Sequence, residues 1–397
     1  MAGSIEKRGK TSYRLVCYSG YDLDGKPIRH AKTIHGTKKE AEIELAKFVT
    51  EVQSGLVADG KAIKFAQFVE IWKRDYASKE LAPATCEKYY GMLRARIIPY
   101  FGHFYLDKIR PTDIMLFYDL LQRDTQIIKS KRNHGKKNHK PLSRKTILEH
   151  HRLIRAMLHR AVYWQLIVAN PAERVQPPKT FRPKRKFYDD EQCKILLQNL
   201  ESLPEQQTKY KVAVILTLFT GVRLGELTGL EWSDINFNTE ILSISRSSQY
   251  LAEKGVFTKL PKTETSIREI AIPEFIVSLL KEYKSWYDNQ KALAGDLWTD
   301  SNRLFVQADG NPIHPDTISK WFIRYVAKIG LPVINFHGLR HTNATLLVSQ
   351  NVDIAVISAR LGHAQISTTY NFYVHPILSH NRVAGTALEN LLLSDKS

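Results

Sequence analysis

Apolar residues recur at helical spacing over long stretches of this chain and alternate over a few short ones, which predicts a mainly α protein with small β-sheets, an α+β chain. Near the N-terminus, Ser12 to Tyr18 and Ile28 to Ile34 read as two strands joined at Asp24-Gly25, a dipeptide suited to a hairpin turn. Thr37-Lys-Lys-Glu40 has the form of a capping box, in which each side chain satisfies the other end's N–H. The helix it opens carries Ala41, Leu45, Phe48, Val49 and Val52 on one face. Phe65, Phe68, Val69, Trp72 and Tyr76 mark a second helix, and Thr85 to Leu93 opens a third that ends before Pro99. In Ile109-Arg-Pro-Thr-Asp-Ile, Thr112 caps a fourth, with Ile114, Phe117, Tyr118 and Leu121 inward. Ile147 to Leu166 supplies a fifth, with Ile147, Ile154, Met157, Leu158, Ala161 and Val162 inward. The aromatics among these read as core and not as platforms for stacked bases. Val212 to Phe219 suits a core helix and is too short to span a membrane. Ile241 to Ser245 reads as a strand, and Leu260 to Pro273 as a turn and a returning strand. A last stripe, Val383, Ala387, Leu388, Leu391 and Leu392, predicts a helix from Asn381 to Leu393.

The clearest break is Gln176-Pro-Pro-Lys-Thr-Phe-Arg-Pro-Lys-Arg-Lys186, where three prolines stop helices and stiffen the chain. The expected organisation is therefore a sheet-plus-helix domain over residues 1–58, a helical domain over 63–176, a basic linker over 177–186 and a mixed α/β domain over 187–397.

Charge changes the picture next. Lys and Arg number 58 against 40 Asp and Glu, a net charge of +18 in 397 residues. Such an excess points to a polyanionic partner, most often nucleic acid, or else to a basic soluble protein or an anionic membrane surface. Lys7, Arg8, Lys10, Arg14, Lys26, Arg29 and Lys32 dot the N-terminal strands, either as a solvated face or as a DNA contact. Between Asp124 and Glu149 no acid occurs, while Lys129, Lys131, Arg132, Lys136, Lys137, Lys140, Arg144 and Lys145 do. That stretch reads as an exposed basic loop, solvated or placed against phosphates. Lys184, Arg185 and Lys186 give the linker the same character. Cys17, Cys86 and Cys193 are far apart and form no C-x-x-C pair, which argues against a zinc site or a disulfide framework and fits a reducing cytosol. The first residues hold no apolar core of a secretory signal. No P-loop pattern and no carboxylate cluster suited to magnesium is present, so neither a cofactor nor a metal is expected.

Candidate chemistry collects in the last domain. Thr220-Gly-Val-Arg-Leu-Gly-Glu-Leu227 follows the apolar helix, and Gly221 permits a sharp turn that sets Arg223 at a helix terminus, where its fork can grip two phosphate oxygens. Lys262 falls near a hairpin, where a lysine is usually only solvated. His337 and Arg340, three apart at a helix start, share a face and with Arg223 would make a positive pocket. Asp353 caps a helix ending at Leu361-Gly362, and His363 follows the glycine turn. Tyr373, in Thr368-Thr-Tyr-Asn-Phe-Tyr-Val-His375, adds a hydroxyl able to attack a phosphodiester held by cations.

These segments, with Lys262-Thr-Glu-Thr-Ser-Ile-Arg268 and His337-Gly-Leu-Arg-His-Thr342, resemble those of the tyrosine recombinase (phage integrase) family, in the family's order and over about residues 185–385. Each is of weak or moderate specificity, but five in order are highly specific. The upstream layout resembles integrases of phages and conjugative transposons of low-GC Gram-positive bacteria, with an arm-site-binding domain and a helical, SAM-like core-binding domain. The resemblance implies that Tyr373 is the nucleophile, forming a 3′-phosphotyrosyl bond and freeing a 5′-hydroxyl. It implies that Arg223 and Arg340 hold the non-bridging oxygens and that Lys262 protonates the leaving oxygen. His337 would act as base toward Tyr373 or orient it, His363 would donate to the phosphate, and Glu226 would orient an arginine. Some members place the tyrosine nine residues after the histidine of Leu-Gly-His; here that residue is Phe372, which cannot attack, and Tyr373 with its Tyr-x-His ending takes the role. Tyr370 is left to packing or stacking.

The implied activity is site-specific integration and excision of a mobile element in a bacterial cytoplasm, needing no metal and no ATP. The implied partners are double-stranded DNA at core and arm attachment sites, the chain itself as a tetramer coupled by its terminal helix, a DNA-bending host factor and an excisionase. Two rivals share parts of this pattern. A type IB topoisomerase uses the same tyrosine chemistry, and a non-catalytic DNA-binding protein could keep the fold without it.

Overall fold

The computed structural model describes residues 3–21, 27–53, 63–123, 141–180, 186–259 and 267–363. The Asp24-Gly25 turn, Lys131, Arg132, Lys136, Lys137, Lys184, Arg185, Lys262, Tyr373 and the stripe beyond Asn381 lie outside the described residues. The chain divides into two units, Met1–Arg182 and Pro183–Ser397.

The first unit opens with β1 (Ser4–Lys7), β2 (Ser12–Tyr21) and β3 (Pro27–His35), an antiparallel sheet in that order. The alternation reveals β2 and β3 but not β1, a short edge strand with one apolar residue, Ile5, between its polar ends. Helix α1 (Lys38–Gln53) packs on the sheet and buries Ala41, Phe48 and Val52 with Tyr13, Leu15 and Cys17. Its capping box forms: the Thr37 N–H donates to Glu40 Oε2 at 2.7 Å and the Glu40 N–H to Thr37 Oγ1 at 3.4 Å.

Among the described residues the longer helices that follow are α2 (Phe65–Trp72), α3 (Pro83–Met92), α4 (Pro111–Arg123) and α5 (Arg144–Tyr163), around a core that includes Phe65, Phe68, Trp72, Leu93, Phe117 and Leu158. Two expectations need correction here. The third helix does not stop before Pro99. It widens into a π turn over Leu93–Ile97 and continues as Ile98–Phe101, because the wider turn relieves the clash a proline ring makes with the carbonyl four residues back. Nor does Thr112 cap α4. The helix begins at Pro111, whose missing N–H is no loss at a first helical position, and Asp113 turns back to accept the Arg110 N–H at 2.9 Å.

The second unit is built on α6 (Asp190–Glu201), α7 (Thr208–Thr220) and α8 (Leu224–Gly229). Then come β4 (Ile235–Asn236), β5 (Ile241–Ile244), β6 (Ser247–Leu251), β7 (Gly255–Lys259) and β8 (Arg268–Ala271). Helices α9 (Glu274–Ala294), α10 (Pro315–Lys328), α11 (His337–Ser349) and α12 (Ile354–Leu361) follow. Helix α7 is buried from Val212 to Leu218 and packs against α9, α10 and α11, which is why its sequence is apolar on every face. Strands β4, β5 and β8 form one antiparallel sheet, with Leu242 opposite Ile270. The β6–β7 hairpin between β5 and β8 is an addition to the two-strand expectation; its apolar residues fall in adjacent pairs, Tyr250–Leu251 and Val256–Phe257, so no apolar alternation marks it. Among the described residues, no helix is long and apolar enough to cross a membrane.

Candidate active site

The site grows from the end of α12. Asp353 caps the helix start, its carboxylate accepting the Ala355 N–H at 2.7 Å. At the other end Gly362 adopts φ +63°, the left-handed conformation that closes a helix. The Gly362 N–H turns back to Ala359 O and the His363 N–H to Ser358 O. That closure leaves the carbonyls of residues 360, 361 and 362 pointing out of the helix end, where the helix dipole makes them electronegative.

Three arginines take these carbonyls, one each. Arg268 Nε donates to Arg360 O at 2.8 Å, Arg340 Nη2 to Leu361 O at 2.7 Å and Arg223 Nη2 to Gly362 O at 3.0 Å. Arg340 is only 2% exposed and also donates through Nη1 to Gly221 O at 2.7 Å. Gly221 has φ +67°, and a Cβ there would lie 2.5 Å from Leu361 and 2.8 Å from Asn343. The turn after α7 thus needs glycine twice, for its backbone and for the approach of α11 and α12. The turn sets Arg223 at the start of α8, as its sequence implies.

Glu226 binds two of the arginines. Its Oε1 accepts from Arg223 Nη1 at 2.7 Å, its Oε2 from the Arg223 N–H at 2.9 Å and from Arg268 Nη2 at 2.8 Å. Burial alone would raise its pKa, but the hydrogen bonds and charge of Arg268 and Arg223 outweigh it and hold the carboxyl at about 2. His363 shows the opposite balance for a base. Burial, and then the charges of Arg340, Arg223, Arg268 and His337, lower its pKa to about 4, so the imidazole is neutral near pH 7. His337 begins α11 at the surface, edge-on to His341 with ring centroids 4.7 Å apart, while Arg340 one turn on points inward.

Of the residues selected from sequence, Arg223, Arg340 and His363 therefore meet at one helix end, with His337 near enough for its charge to act on His363. Two contributors were not singled out, Arg268 and Arg360. The latter donates to Phe219 O at 2.9 Å and Ala271 O at 3.2 Å, joining the helix end to α7 and β8. A signal for Arg268 exists: it lies two positions before the buried Ile270 on β8, so strand alternation turns it inward.

The DNA-contact candidates are placed differently. Arg8 and Arg29 both pair with Glu6, at 2.9 and 3.0 Å, on the open sheet; Lys7 is exposed and Arg14 half-buried. Lys186 is exposed just before α6. Among the described residues, no group of three or more His, Cys, Asp or Glu is placed to hold a metal ion.

One helix end thus gathers three arginines beside the neutral imidazole of His363, hydrogen-bond donors of a kind that suits an anion. The pattern of the phage integrase family matches residues 186–380, and that of the phage integrase N-terminal SAM-like domain residues 64–122. A tyrosine recombinase XerC-like protein of Caldanaerobacter subterraneus is 28% identical over 98% of both chains. The tyrosine recombinase XerA of Pyrococcus furiosus is 30% identical over 56% of this chain and 69% of its own. In fold, the chain is similar to the Tn1549 transposon integrase in complex with circular intermediate DNA, with a TM-score of 0.66 at 21% identity over 82% of this chain and 99% of that one. The chain belongs to the phage integrase family and is a tyrosine recombinase, an integrase acting in site-specific recombination.

Proposed function

We propose that Tyr373 is the nucleophile of this recombinase and that the cluster at the end of α12 holds the scissile phosphate of double-stranded DNA. Attack by the tyrosine oxygen forms a 3′-phosphotyrosyl bond and releases a 5′-hydroxyl; the reverse step, with a hydroxyl from the partner duplex, rejoins the strand. Because the linkage conserves the phosphodiester's energy, no ATP is consumed. Arg223 and Arg340 bind the non-bridging oxygens as charge builds in the pentavalent transition state. His363, neutral and next to them, donates a hydrogen bond, His337 receives or orients the tyrosine proton, and Lys262 protonates the leaving oxygen.

One observation carries this reading: both arginines are fixed by the same helix end that delivers His363. Their guanidinium groups are thereby pre-organised, which is what transition-state stabilisation requires. In the same reading residues 1–58 bind arm sites, 63–176 grip the core site, 177–186 lie on the phosphate backbone and 187–397 carry the chemistry. The protein acts in the cytosol as a tetramer on paired attachment sites, integrating and excising a mobile element, with a host bending factor and an excisionase as accessories.

The test is a nicked half-site duplex whose cleaved fragment diffuses away and traps the covalent complex. Wild type gives an adduct that maps to Tyr373, and Tyr373→Phe gives none. An adduct that persists in Tyr373→Phe, or maps to Tyr370, removes the assignment. Arg223→Ala and Arg340→Ala each slow adduct formation about 100- to 1,000-fold.

A further inference from the structure

We infer that Arg268 is a positioning residue for strand cleavage, acting on the phosphate grip of Arg223 through Glu226. The inference rests on the reading of Arg223 given above.

The geometry is specific. Arg268 is buried, its side chain 6% exposed, and its three guanidinium nitrogens have distinct tasks. Nε holds Arg360 O, Nη2 holds Glu226 Oε2 at 2.8 Å, and Nη1 reaches Glu226 Oε1 at 3.3 Å. Glu226 in turn presents Oε1 to Arg223 Nη1. Arg223 is thus held on one side by a carboxylate whose position is set by Arg268, and on the other by Gly362 O. Gly362 itself admits nothing larger, since a Cβ there would lie 2.9 Å from Arg268 Nη1.

A buried carboxylate between two arginines is a bidentate joint, and its rigidity comes from Arg268, because Arg223 is 38% exposed and has its outer side turned to solvent and substrate. A lysine at 268 would supply charge but not the fork, so it could hold Glu226 or Arg360 O but not both in this geometry. Without Arg268, Glu226 can swing, and Arg223 loses the orientation that its phosphate contact needs. A misplacement on the order of 1 Å at such a contact is worth about 100-fold in rate.

The experiment uses the full chain and a nicked half-site carrying its own crossover sequence, in two forms. One has the natural scissile phosphate, and the other a methylphosphonate, whose missing oxygen charge removes much of the need for an arginine grip. On the natural phosphate, Arg268→Gln and Arg268→Lys bind the duplex within about twofold of wild type but cleave about 10- to 100-fold more slowly. On the methylphosphonate, the deficit of both variants shrinks to a few-fold, and Glu226→Gln behaves alike. The Arg268→Gln/Glu226→Gln double variant is no slower than the worse single one, because the two act in one chain of contacts.

A wild-type rate for both Arg268 variants on the natural phosphate overturns the inference, as does a deficit of equal size on both substrates, which would mark a purely structural arginine. If Arg268→Gln does not fold, the comparison rests on Arg268→Lys, to which the same outcomes apply. Arg223→Ala separates the two readings. If it too cleaves the phosphate at the wild-type rate, the reading of the site fails; if it is slow while the Arg268 variants are not, only the present inference fails.

Discussion

Glu226 and His363 show how one small environment moves both an acid and a base well below their ordinary pKa values. The folded pKa of Glu226, about 2, lies below the ordinary carboxylate value of 4.5. The unfolded chain therefore binds the proton more readily, and the stability from this ion pair is present above pH 4.5 and lost as pH falls toward 2. Glu226→Gln leaves Arg268 buried without its counter-charge and is expected to destabilise the protein by about 3 kcal/mol at pH 7. Denaturant titrations at several pH values should show wild type and Glu226→Gln converging between pH 4.5 and 2; a constant gap would contradict the assignment. His363 has a linkage of the same sign, in a higher pH window. Its pKa falls from 6.5 to about 4 on folding, so between those values the unfolded chain binds more protons and stability drops with acid. His363→Gln should lose less stability than wild type from pH 6.5 down to 4, and the two should run parallel above pH 7. In cleavage assays, no inflection from His363 is expected between pH 6 and 8.

Among the elements, the turn after α7 and the two ends of α12 decide where the arginines stand. Gly221→Ala forces a side chain into positive φ and into contact with Leu361 and Asn343, with an expected loss of about 1–3 kcal/mol and a slower cleavage rate, since Gly221 O also holds Arg340. Asp353→Ala removes the cap from α12 and should cost about 1 kcal/mol, with a smaller effect on cleavage than Gly221→Ala because the carbonyl end of the helix keeps its glycine closure. Thermal or denaturant unfolding with single-turnover cleavage of a half-site measures both. The corrected elements follow the same logic. Pro111 opens α4 where Thr112 had the better capping side chain, and the chain passes Pro99 by widening its helix. At Pro111 a backbone property of proline outweighed a side-chain signal, and at Pro99 a wider turn absorbed the break that proline alone would impose.

For the molecule as a whole, charge governs how it meets DNA. An excess of 18 positive charges makes DNA association strongly salt-dependent, because each phosphate neutralised releases counterions. Replacing Lys184, Arg185 and Lys186 together by Gln should lower the slope of log Kd against log salt by up to about three, measured by anisotropy on attachment-site duplex. An unchanged slope would take the linker off the phosphate backbone. Much of this protein is legible without coordinates. Helical periodicity, the glycine turns at 221 and 362, the capping residues Thr37 and Asp353, and the ordered motifs from Arg223 to His363 are local, because a turn or cap is decided by residues three or four apart. The β6–β7 hairpin escaped, since its apolar residues stand in adjacent pairs and leave no alternation to read. Arg268 and Arg360 escaped as contributors, because an arginine's role depends on which carbonyl or carboxylate it meets, and those partners lie up to 141 positions away. Sequence alone determined which residue types were available and which turns could form. Only the tertiary structure decided that three arginines would share the carbonyls at the end of one helix, because hydrogen bonds between distant segments exist only once the core around α7 has brought those segments together.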